Sequence, residues 1–227
     1  MKKIIPILGG ILLLLGACNS LDVRITGAIS GLDGTVKLLS EIPGKRGFVV
    51  LAQQEANGGN FQFRTEQLVL PAQVWIDFRG KKIIELIIDS RKETRIEGNV
   101  DSLDHLQITG SLLMTKYKEV LRTLDEKFKP DSEGYSEKIV AISQKETLTR
   151  DDEVKLGILQ SARQRLIGRR ADYVKQLIGK NPTQELSLFL LKTELADSLN
   201  AQKKLFATLA IHNKESSIYK VLENQLR

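Results

Sequence analysis

The hydrophobic period of this 227-residue chain changes once, near Gly110, and that change restricts the fold more than any other feature. Before it, apolar residues cluster in short runs bounded by turn residues. After it, they recur at steps of three and four. Runs at 23–29 and 36–42 flank Gly31-Leu32-Asp33-Gly34, which reads as a hairpin-type connection. The run at 48–53 leads into Asn57-Gly58-Gly59-Asn60, and Phe61-Gln62-Phe63 alternates apolar with polar. Runs at 74–78 and 83–88 are separated by Arg79-Gly80-Lys81-Lys82, and 94–98 and 106–109 follow with a turn over 99–104. Such short runs predict an antiparallel sandwich or open barrel over residues 22–110. Pro43 and Pro71 fall between runs, where a missing amide donor costs least.

Leu113, Tyr117, Val120, Leu121, Leu124 and Phe128 form one helical stripe, which Pro130 is expected to end. Residues 129–144, with Pro130 and Gly134, then read as a mobile connection. Thr149 is placed to cap a second helix, with Asp151, Asp152 and Glu153 against its dipole. That helix runs to Gly179, and Asn181-Pro182 reads as the N-cap and first residue of the next. Residues 186–191 are apolar all round, as in a buried helix. Leu205, Phe206 and Leu209, then Ile218, Leu222 and Leu226, mark two more segments. The predicted fold is therefore α+β: an N-terminal antiparallel β-sandwich or open barrel, then an α-helical region over 111–227. With 41% hydrophobic and 27% charged residues, a mostly disordered chain is excluded. Residues 22–110 carry 11 basic and 12 acidic residues and 111–227 carry 21 and 16, so the positive excess lies in the helices.

The N-terminus reads as an address. Met1-Lys2-Lys3 is a basic head, followed by an apolar run over 4–15. That length fits a secretory h-region of roughly 7–15 residues and falls short of the about 20 a spanning helix needs. It closes on Leu15-Gly16-Ala17-Cys18. This resembles the lipobox of bacterial lipoprotein precursors: an aliphatic residue, two small residues, then cysteine. The resemblance implies a signal peptide over 1–17, diacylglyceryl transfer to the Cys18 thiol, cleavage before it, and a lipidated N-terminus and short tether over 18–21. Two or more acyl chains anchor stably, at about 0.8 kcal/mol per buried methylene. The lipid bilayer is then a partner through acylated Cys18. By the same resemblance, Asn19 where retained lipoproteins carry Asp, and no acidic run after Cys18, imply a bacterial envelope site on the outer membrane facing the periplasm. Cleavage removes Lys2 and Lys3 and lowers the net charge from +6 to +4. Cys18 is the only cysteine, so the lipidated chain has no free thiol.

A second resemblance rests on Ile25-Thr26-Gly27 with Gly31-Leu32-Asp33-Gly34, then Gly59-Asn60-Phe61-Gln62-Phe63, Ile96-Glu97-Gly98 and Ile108-Thr109-Gly110-Ser111. In that order they are similar to a domain of unassigned function in Gram-negative envelope lipoproteins. It commonly precedes a thioredoxin-like domain of the peroxiredoxin or thiol-disulfide oxidoreductase type. The chain stops at Arg227, where such relatives begin that domain, and it holds no Cys-x-x-Cys. A redox thiol needs an accessible cysteine of low pKa, so the activity does not carry over.

Other candidates each have a structural reading beside the functional one. His105 and His212 are isolated, whereas zinc wants three or four ligands. Asp151-Asp152-Glu153 lacks calcium-loop spacing and reads as helix capping. Asp77 and Glu85 lie on neighbouring predicted strands, but nothing in the spacing fixes them as an acid/base pair. Arg163, Arg165, Arg169 and Arg170 span about 160° of a helix. They read either as a solvated face or as one meeting anionic lipid, peptidoglycan or an acidic partner. Trp75, Phe78, Phe61 and Phe63 read as core or as a sugar-binding aromatic stripe. Base-stacking aromatics for nucleic acid are missing. No catalytic, cofactor-binding or metal-ligating residue is assigned, and the expected role is non-enzymatic: a tethered binding or scaffolding module for an envelope protein partner. The alternative is an accessory subunit or remnant of a thiol-disulfide or peroxide-handling system whose redox cysteines lie on another chain.

Overall fold

A computed structural model describes residues 22–44 and 47–227. Cys18, the signal peptide expected over 1–17 and the tether expected over 18–21 lie outside these residues. The fold is α+β. Among the described residues, eight strands form two four-stranded sheets and five α-helices follow. The first sheet has the order β4-β1-β7-β8, with β1 Val23–Ser30, β4 Asn60–Thr65, β7 Thr94–Asn99 and β8 Gln107–Thr109. The second has the order β3-β2-β5-β6, with β2 Gly34–Glu41, β3 Phe48–Ala56, β5 Ala72–Phe78 and β6 Lys81–Ile88. Antiparallel pairing dominates, but β1 and β7 run parallel. The predicted turn after β7 is a 3-10 helix, Val100–His105, capped by Asn99.

The sandwich core comes from period-two alternation. Val23, Ile25 and Ile29 of β1, Val36 and Leu38 of β2, and Val74 and Ile76 of β5 are all buried, with Phe61 and Phe63 of β4 between the sheets. Gly27 is the register partner of Phe61, and a Cβ there would lie 2.1 Å from the Phe61 ring. Glycine is required at that point so that the ring can cross the strand.

The connection Gly31-Leu32-Asp33 is not a hairpin. It carries the chain from one sheet to the other, since β1 and β2 pair with different partners. Leu32 is fully buried in the core, and Asp33 Oδ1 accepts the Gly58 amide at 2.9 Å, tying together two connections that both change sheet. A true hairpin does join β5 to β6, where Arg79 and Gly80 both have positive φ, as a two-residue loop of matching twist requires.

The helices are α1 Leu112–Ser143, α2 Arg150–Lys180, α3 Leu186–Glu194, α4 Leu199–Phe206 and α5 Ser217–Leu226. Pro130 does not end α1, and residues 129–143 are helix rather than a connection. The carbonyl that Pro130 leaves without a donor sits on an exposed surface, where water replaces the lost bond. On either side of it, Phe128 and Tyr135 pack in the helical core. Asn181-Pro182 does not start α3. Asn181 closes α2, its side-chain amide donating to Leu177 O at 2.8 Å, and α3 begins four residues later than Pro182. Thr149 caps α2 as expected, in a reciprocal pair with Asp152. Leu209 lies beyond the end of α4.

The helices cover the outer face of β5 and β6. Ile87 points away from the sandwich and is buried among Leu188, Phe189, Leu191 and Leu222 and their neighbours. The entry to α1 fixes this joint: Ser111 Oγ accepts the Met114 amide at 3.0 Å, and Asp89 at the end of β6 accepts that of Leu113 at 2.7 Å. Two of the four free donors at the helix start are thereby satisfied.

Candidate functional site

Where β5 meets the helices, a polar cleft of about 460 Å³ remains, lined by Glu41, Gln73, Trp75, Glu85, Lys192 and Thr193. Strand alternation puts Gln73 and Trp75 there, because Ala72, Val74 and Ile76 face the core. A second depression of about 470 Å³ continues past Glu41 and Gln225 toward Phe48 and Asn224.

Lys192 organises the cleft. Its Nζ lies 2.8 Å from Glu41 Oε2, donates to Gln73 Oε1 at 2.5 Å, and stands 4.9 Å from the centre of the Trp75 ring. Gln73 in turn donates through Nε2 to Glu85. Phe48 meets Trp75 edge-on at 5.0 Å. Beneath this layer the Tyr117 hydroxyl donates to Thr193 Oγ1 at 3.0 Å, and Thr193 donates to Phe189 O at 2.9 Å. Burial pushes the Tyr117 phenol up to about 12, and the carboxylates of Glu85 and Glu194 add to the rise. Arg170 on α2 pairs with Glu194 on α3. Lysine, arginine, carboxylates and the Gln73 amide thus engage one another across five elements of the joint: β2, β5, β6, α2 and α3. What they offer a ligand is hydrogen bonding and an aromatic edge.

The predicted site residues are dispersed. Asp77 and Glu85 do not act together: Asp77 Oδ1 holds the Gly80 amide of the hairpin at 3.3 Å, while Glu85 belongs to the Gln73 network. The aromatic set is not one stripe. Phe61, Phe63 and Phe78 are core, whereas Trp75 is half-buried on the opposite face of β5. The four arginines also divide. Arg170 is half-buried and paired with Glu194 of α3, Arg169 lies 3.9 Å from Asp131, and Arg163 and Arg165 are exposed. His105 and His212 are exposed and far apart in the chain, and among the described residues no three His, Cys, Asp or Glu are grouped to hold a metal. Asp152 caps α2 and takes Lys145 Nζ at 2.6 Å; that bond, with Thr149, holds its carboxyl at about 2. Asp151 and Glu153 are exposed beside it.

Sequence reasoning missed Lys192, Glu41 and Gln73. One signal was available: Lys192 directly follows an all-round apolar run, so its ammonium needed a counter-charge on whatever that run packs against. The identity of that counter-charge depends on the sheet register and was not in the local sequence. No family model matches this chain, and no curated protein or solved structure is significantly similar to it.

Proposed function

We propose that this chain is a lipid-tethered envelope protein working as a non-enzymatic binding or scaffolding module. The lipobox-like Leu15-Gly16-Ala17-Cys18 supports the tether. One observation carries the scaffolding role: α1 and α2, of 32 and 31 residues, continue far past the helical core. At about 1.5 Å per residue each is roughly 45 Å long. The outermost buried apolar residues are Phe128 on α1 and Leu166 on α2, so about half of each helix, 129–143 and 150–165, extends beyond them and away from the sheets. That arm bears exposed Val140, Val154 and Ile158. A surface of this kind is suited to protein contact. The sandwich and its helical cover supply a fixed base, joined through Ile87, Asp89 and Lys192.

The reading is tested by intact-mass analysis of the mature protein with Cys18→Ser alongside, and by crosslinking in intact envelopes. Expected are a diacyl or triacyl mass increment at Cys18 and adducts that map to the α1–α2 arm. A leader left in place or an unmodified thiol overturns the tether. Turnover of a substrate by purified protein, lost in Lys192→Met, overturns the non-enzymatic role.

A further inference from the structure

The outer face of α2, opposite its seam with α1, carries a second periodic stripe. Half-buried Leu156 and Leu159 and buried Leu166 mark the seam. Asp151, Val154, Ile158, Ser161 and Arg165 occupy the other side at alternating steps of three and four, and all five are exposed. A seven-residue step drifts only about 20° around a helix, so Asp151, Ile158 and Arg165 share one line. Val154 and Ile158 are 56% and 60% exposed, high for adjacent aliphatic residues on one helix face.

The charges on this line are arranged about Ile158. Asp151 precedes it by seven residues and Arg165 follows it by seven. A two-fold axis through Ile158 therefore brings Asp151 of one chain opposite Arg165 of the other, twice. It also places Ile158 against Ile158 with the two Val154 side chains beside them. The helices are then antiparallel, so their dipoles oppose as well. A face that is its own complement fits an isologous pair. We infer that the outer face of α2 is a self-association surface whose occupant is a second copy of this chain, packed antiparallel about Ile158.

The patch is small, so the contact is weak in dilute solution and gains from confinement to a surface. Only the gain from confinement rests on the tether proposed above. The surface is tested in full-length protein in its native envelope, using a short thiol-specific bismaleimide. Ile158→Cys lies next to its own copy on the axis, whereas Gln160→Cys is exposed but off the stripe. The parent chain, whose sole thiol is Cys18, gives the background. Expected is several-fold more covalent dimer for Ile158→Cys than for Gln160→Cys or the parent. Adding Asp151→Arg weakens the pairing by about tenfold, and adding Arg165→Asp as well restores it. Equal crosslinking at 158 and 160, or failure of the charge reversal to restore the dimer, overturns the inference. These positions are exposed, so folding is not at stake, and the state of Cys18 is read separately by mass. A lipidated but uncrosslinked chain removes self-association alone.

Discussion

Lys192 Nζ sits 2.8 Å from Glu41 Oε2, and through this contact the third helix is fastened to the second strand of the sheet. The two side chains are only 11% and 22% exposed, so water screens the pair poorly. Lys192→Met leaves Glu41 and Gln73 facing one another without the cation between them. The expected loss is about 2–3 kcal/mol of unfolding free energy. Glu41→Gln combined with Lys192→Met should lose less than the sum of the singles. A double-mutant cycle in urea measures this, and strict additivity would show that the contact is incidental.

Gly27→Ala places a methyl where the Phe61 ring lies, at 2.1 Å. Over-packing of this kind costs about 1–3 kcal/mol, and a smaller partner should relieve it. Phe61→Leu, mildly destabilising alone, is therefore expected to recover part of the loss in the Gly27→Ala background. Thermal unfolding of the four chains of the cycle tests this.

Acid should loosen the tip of the arm first. The Asp152 carboxyl is held at about 2, chiefly by Lys145 and then by Thr149, below its ordinary value. A depressed carboxylate stabilises the fold fully above its unfolded pKa of about 4, and that stabilisation fades as pH falls toward 2. Asp152→Asn removes this pH dependence, whereas Thr149→Ala costs about 1 kcal/mol by removing the cap and only narrows the pH dependence, because Lys145 still holds the carboxylate. Tm followed from neutral to acid pH in both variants distinguishes the two effects.

Tyr117 gives the opposite sign. Its phenol is pushed up to about 12, so the folded state favours the neutral form. Its contribution is complete below the unfolded value of about 10 and is lost as pH rises through 12. Tyr117→Phe forfeits the hydrogen bond to Thr193, worth about 1 kcal/mol. Ultraviolet titration should show a phenol ionising above the ordinary tyrosine range, and that late step should vanish in Tyr117→Phe.

Residue periodicity made the layers legible, because alternation along β1 and β4 and three-four steps along α1 follow directly from which side chains must leave water. Sheet membership was not legible at Gly31-Leu32-Asp33, since the same turn residues serve a hairpin and a crossing between sheets. The distinction lies in Leu32, whose burial depends on both sheets at once. Pro130 misled for a related reason: the penalty for proline is local, while the contacts of Phe128 and Tyr135 that carry α1 through it are tertiary. The cleft was the least legible part. Trp75 and Glu85 were visible as residues, but Lys192 reaches Glu41 across about 150 positions of chain, and only the fold brings them together.

The strand that opens the described chain is not at a margin of its sheet. β1 lies between antiparallel β4 and parallel β7, with six residue pairings on each side. A mechanical pull entering at Val23 along the strand axis therefore meets two ladders in shear, which must rupture together, rather than one that peels open bond by bond. The first strand of the sandwich is built as a strain-bearing root for whatever precedes it.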